Sequence, residues 1–164
     1  MAVEDKFVTS ELADGKKVKS AFASGDTEVT IVATEEIAAA DDDGSVYRFF
    51  SGVPSSYIPT EITIMSDGIT GGTDYDLGLY KQGVGGAAVD ADVLMDGQTM
   101  ASALTRATGH QLGLQTVDIA DAGKTLGELS GQTDVDGGYD IALTANTVGT
   151  AAGTITILAK FVQG

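Results

Sequence analysis

The sequence contains no cysteine and no tryptophan, a single histidine and only two prolines in 164 residues. Without cysteine there is no disulfide framework, no thiolate zinc site and no thiol nucleophile, and the redox compartment is left open. One histidine excludes centres built on several imidazoles. Basic residues are scarce too: 9 Lys and Arg stand against 24 Asp and Glu, a net charge of -15. Such a chain repels a nucleic-acid backbone or an anionic membrane surface. No run approaches the roughly 18 consecutive apolar residues of a membrane-spanning helix. The opening MAVEDKFVTSELADGKKVKS is charged throughout and has no apolar core of a secretory signal, so Met1 reads as the natural start of a chain not exported by that route. Yet 43% of the residues are hydrophobic, too many for an acidic disordered tail. The length suits one domain with a substantial core.

The charge is unevenly placed. Among the first nineteen residues Lys6, Lys16, Lys17 and Lys19 balance Glu4, Asp5, Glu11 and Asp14, so the remaining five basic and twenty acidic residues carry the entire -15. Residues 1–24 therefore form a neutral, lysine-bearing leader on an acidic body over residues 25–164. It reads either as an arm reaching a neighbouring subunit, with Phe7, Lys16, Lys17, Lys19 and Phe22 as contact residues, or as an edge segment of the same domain. Its alternation is imperfect and no helical period runs through it.

Beyond the leader the dominant pattern is short period-two segments rich in β-branched and aromatic residues, separated by Gly, Asp and Thr. TEVTIVAT sets Val29, Ile31 and Ala33 against Thr30, Val32 and Thr34. VYRFF follows the turn signal DDDGS. TEITIM alternates Ile62 and Ile64 with Thr63 and Met65, and YDLGLY sets Tyr75, Leu77 and Leu79 inward with Asp76, Gly78 and Tyr80 opposite. YDIALTAN repeats that arrangement, and TITILAKFV, joined to it by NTVGTAAG, predicts a closing hairpin. Weaker strands fall in VDADVL and HQLGLQTVDI. Pro54 and Pro59 bracket a loop. In AGKTLGELSG, Thr125 and Glu128 form a capping-box pattern for a turn or two of helix. The expected fold is all-β: an antiparallel sandwich, jelly-roll-like, with one or two short connecting helices.

Chemical motifs are few. GKT at Gly123 has Asp118 where a phosphate loop needs its first glycine, and a carboxylate there opposes a triphosphate. TDVDGGYD spaces Asp134, Asp136 and Asp140 almost as a calcium loop, a weak metal candidate because the run lacks the closing Glu. Asp beside Gly is also ordinary turn chemistry. His110 has no partner set, and no G-x-S-x-G elbow offers a nucleophile. Arg48 is the one charge in an apolar strand, either pointing outward or paired at an interface. These residues predict no enzyme and no cofactor.

SVYRFFSGVPSSYIPTEITIMSDGITGGTDYDLGLYKQG, AAVDADVLMDGQTMASA, AGKTLGELSG and GGYDIALTANTVGTAAGTITILAKFV together resemble the small decoration or cement proteins of tailed-bacteriophage heads, over the stretch from about Val46 to Val162. The resemblance implies a protein made in the host cytoplasm and carried on the outer surface of the virion. There it binds the major capsid protein, stabilises the shell by bridging capsid subunits, and associates as a dimer or trimer. The YDLGLY and closing-hairpin pattern also resembles accessory β-sandwich domains of secreted bacterial proteases. That similarity implies the alternative of a calcium- or glycan-binding module on a fibre or secreted protein.

Overall fold

A computed structural model describes residues 3, 5–7, 28–132 and 137–164. Among the described residues eight strands follow in chain order: β1 (Asp5–Phe7), β2 (Val29–Ile37), β3 (Ser45–Val53), β4 (Tyr57–Ser66), β5 (Asp74–Tyr80), β6 (Ala88–Gln98), β7 (Tyr139–Thr147) and β8 (Gly153–Gln163). They build a five-stranded sheet ordered β1-β3-β7-β5-β6 and a three-stranded sheet ordered β2-β8-β4. Every pairing is antiparallel except that of the short β1 with β3. The all-β sandwich expected from the alternation is the observed architecture.

Its topology is nested. β2 pairs with β8, β3 with β7, and β5 with β6, while β4 meets the later chain through a bridge between Ser66 and Leu104. First-with-last pairing of this kind is one long hairpin wound into two facing sheets, the jelly roll. The core lies between the layers, where Ile31, Ile62, Ile64, Ile157 and Phe161 face Tyr47, Leu77, Ile141 and Leu143, all at 2% exposure or less. The β2 pattern is the simplest case: Val29, Ile31, Ala33 and Ile37 are buried and Thr30, Val32 and Thr34 exposed, as a strand with one wet face requires.

Four expectations change. The closing hairpin does not form: β7 lies between β3 and β5, and β8 between β2 and β4 in the other sheet. A connection the length of residues 148–152 can turn back alongside its own strand or cross the roughly 10 Å between layers. Here it crosses, tied by the Val148 N–H to Asp43 and the Thr150 N–H to the Thr70 carbonyl. HQLGLQTVDI is not a strand; it holds a 3-10 turn over Leu112–Leu114, entered through Gln111 at φ 61. Pro59 lies inside β4, at a register shift between Pro59 and Glu61 on a sheet edge, where the missing N–H costs no ladder bond. Asp76, Gly78 and Tyr80, on the far face of β5, are buried rather than wet. The predicted helix does form as α1 (Leu126–Leu129), with Thr125 and Glu128 making the reciprocal capping bonds.

Candidate functional site

The covering of β5 creates an organised polar group. Between Leu77 and Leu79 the β6 partner advances from Met95 to Asp90, so the intervening β6 residues arch over Gly78. A β-carbon on Gly78 would overlap the backbone of Asp90 and Ala91. Beneath this arch and the loop after β5, the outer face of the five-stranded sheet holds a buried polar layer. Arg48 and Asp140, both at 0% exposure, form an ion pair at 3.3 Å. Arg48 also donates to the carbonyls of Lys81 (3.0 Å) and Gly86 (2.7 Å) and lies 5.2 Å from the Tyr80 ring centre, a cation–π distance. Asp140 accepts in addition from the N–H groups of Gly52 and Gly83. The Asp76 carboxylate accepts from Gly97 and Asn146. These groups satisfy one another and fix the loop after β5 to the sheet.

Surface concavities open on the sandwich, of which two stand out by their linings. One, of about 490 Å³, is walled by Asp41, Asp42, Asp43, Gly71, Val148 and Thr150. Its acids are partly committed to the fold: Asp41 accepts from the Tyr47 hydroxyl at 2.6 Å and Asp43 from the Val148 N–H at 2.9 Å. Burial first, and then the Asp41 carboxylate, pushes the Tyr47 hydroxyl far above its ordinary range. The other concavity, of about 580 Å³, is apolar, formed by Ile58, Pro59, Leu114, Val117, Ala122 and Val162. Beside it Lys160 bonds Glu61 at 2.9 Å and holds that carboxyl below the usual range. Val84 and Ile119 stand out into solvent on two loops, at 59% and 96% exposure.

The residues singled out in the sequence are distributed as follows. Arg48 is inside the chain, paired with Asp140. Asp140, one of the three calcium-loop aspartates, spends both carboxylate oxygens on intrachain donors, while Asp134 and Asp136 lie outside the described residues. Phe7 ends β1, opposite Arg48 on β3. Lys16, Lys17, Lys19 and Phe22 also lie outside the described residues. His110 is exposed, and among the described residues no three His, Asp or Glu side chains gather as a metal-binding group.

No family model matches the sequence, and no curated protein matches it. Solved structures do. A chain from the capsid of Ralstonia phage GP4 superposes with a TM-score of 0.56 at 12% identity, covering 87% of this chain and 88% of that one. This is a shared fold. A chain from the capsid asymmetric unit of cyanophage Pam1 gives a TM-score of 0.47 at 14% identity, over 87% of this chain and 89% of that one.

Sequence reasoning missed the ion pair. It assigned Arg48 and Asp140 to separate roles because they stand 92 residues apart and only the pairing of β3 with β7 makes them neighbours. The available signal was a strand of otherwise apolar residues carrying one arginine, since a buried charge requires a partner.

Proposed function

We propose that this chain is a structural protein of a phage virion, a decoration or cement protein that binds the outer surface of a tailed-phage capsid and bridges its subunits. The observation that carries the reading is the jelly-roll sandwich, superposable over most of its length on a chain from the capsid of Ralstonia phage GP4. The composition fits the same role. A charge of -15 keeps particles coated by this protein mutually repulsive and soluble, and it suits an outer surface better than a lining in contact with packaged DNA. The buried polar layer ties the loop after β5, which carries the exposed Val84, to a rigid frame, and Ile119 offers apolar contact on a second loop. The partner in this reading is the major capsid protein. Copies associate as dimers or trimers, so that several modest contacts multiply the effective affinity.

The deciding experiment is sedimentation of the purified protein with shells that lack it. Cosedimentation and a rise in shell heat stability are expected. Failure of both would overturn the reading.

A further inference from the structure

Residues 115–124, in the segment after β6, end in a turn that projects from the sandwich. The segment is fastened at its start, where Gln115 and Thr116 bond the β6 carbonyls of Asp96, Leu94 and Val93. The turn is held from within. The Asp118 carboxylate accepts from the N–H groups of Ala120 (2.8 Å) and Asp121 (3.1 Å), and the Asp118 carbonyl accepts from the Ala122 N–H at 2.9 Å. Asp121 bonds Lys124 through its side chain. Ile119 sits on this frame at 96% exposure, more than any other large apolar side chain among the described residues. An isoleucine fixed there adds nothing to the stability of the monomer, because apolar surface stabilises only when it leaves water.

The same segment walls the apolar concavity. Val117 and Ala122, on the two limbs of the turn, line it together with Ile58 and Pro59 of β4 and Val162 of β8. A protruding apolar side chain and an apolar hollow therefore belong to one patch. Such a patch is self-complementary: a two-fold axis between two copies lets each fill the other, and the contact closes on itself.

The charges agree with this. Asp118 and Asp121 flank Ile119 in the tip sequence VDIAD. Thr60 and Gln111 form one end of the concavity, and beside them stand Lys160 and the exposed Arg106 and His110. Lys160 is bonded to Glu61 and feels Arg106 as a like charge. Arg106 makes no ion pair among the described residues. Five basic residues follow Lys19 in the chain. Three of them, Arg106, Lys124 and Lys160, border this concavity or its wall, so an acidic tip meets here the least repulsive part of an acidic body.

We propose that the concavity between β4 and residues 115–124 is a dimerisation site, and that its occupant is the Ile119 tip of a second copy. In the two-fold dimer each Ile119 packs among Ile58, Leu114 and Val162 of the other copy, with the acids of the tip toward the Arg106 end. The turn is fixed before docking, so little conformational freedom is lost. The site gives a surface to the association of copies, and its use on a shell rests on the capsid reading above.

The test is sedimentation equilibrium of the full-length protein alone. A monomer–dimer equilibrium is expected at concentrations up to about 0.1 mM in about 0.15 M salt. Ile119→Asp removes the protruding side chain, and Ala122→Trp fills the hollow from an exposed position. Each variant is expected to be monomeric with an unchanged circular dichroism spectrum. Mixed in equal amounts, the two should form a weaker dimer, since one intact tip then meets one intact hollow. Arg106→Glu should raise the dissociation constant about tenfold. Monomeric unsubstituted protein, trimers or open-ended growth, a dimer indifferent to Ile119→Asp, or no recovery on mixing would overturn the proposal. A dimer that fails to cosediment with shells would leave this site standing and remove the capsid reading, whereas monomers that coat shells would do the reverse.

Discussion

Arg48 and Asp140 hold the loop after β5 onto the sheet from a site without water contact, and burying two charges is repaid only when both are paired and bonded. Removing one therefore costs more than the pair is worth. Asp140→Ala is expected to lower unfolding stability by about 3–5 kcal/mol, read from urea denaturation. Asp140→Leu combined with Arg48→Met should recover much of that loss, and a double variant as unstable as the single would contradict the explanation. Tyr47 and Tyr75 carry a different linkage. Burial is the main cause holding both hydroxyls far above 10.0, with the Asp41 carboxylate adding to each. The folded state keeps these protons while the unfolded state releases them near pH 10, so their contribution is present below that pH and lost as pH rises past it. Alkaline titration followed at the tyrosinate absorbance should show these two ionising together with loss of circular dichroism. Ionisation of all five tyrosines near pH 10 with the fold intact would refute this.

At the level of elements, β6 is the strand whose sequence says least about its behaviour. VDADVL alternates like an ordinary strand, yet its backbone arches over Gly78 and places Asp90 near Asp92. Gly78→Ala inserts a methyl group where the arch lies and is expected to destabilise by about 1–3 kcal/mol, with β6 amides losing exchange protection first. Burial, then the hydrogen bond and charge of Asp92, raises the Asp90 carboxyl above its ordinary range. Its share of stability is present at low pH and lost as pH rises through the raised value. Asp90→Asn should accordingly stabilise the protein at pH 7 by at most about 1 kcal/mol, and the gain should shrink in acid. α1 is the opposite case: its capping box was legible because Thr125 and Glu128 are three residues apart and the chemistry is local. Non-local covering, such as the burial of Asp76 and Tyr80, left no periodic mark.

For the whole molecule, 24 acids on a domain this small mean that the folded state repels itself more than the expanded chain does. Raising salt from about 0.01 M to about 0.15 M shortens the screening length from roughly 30 Å to 8 Å. The melting temperature should rise over that interval, whereas a fall would show that specific ion pairs outweigh the general repulsion.

What the sequence determined alone was everything carried by neighbours in the chain: strands from period-two alternation, turns from Asp and Gly, the cap of α1, and the acidic coat. Those signals sufficed for an all-β sandwich because each strand's buried face is written within a few residues. Only the tertiary structure decided which strands became partners. It sent β7 and β8 into opposite sheets and joined Arg48 to Asp140 across 92 residues. Pairing between distant segments depends on how whole sheets bury their apolar faces against each other, and no local spacing encodes that choice.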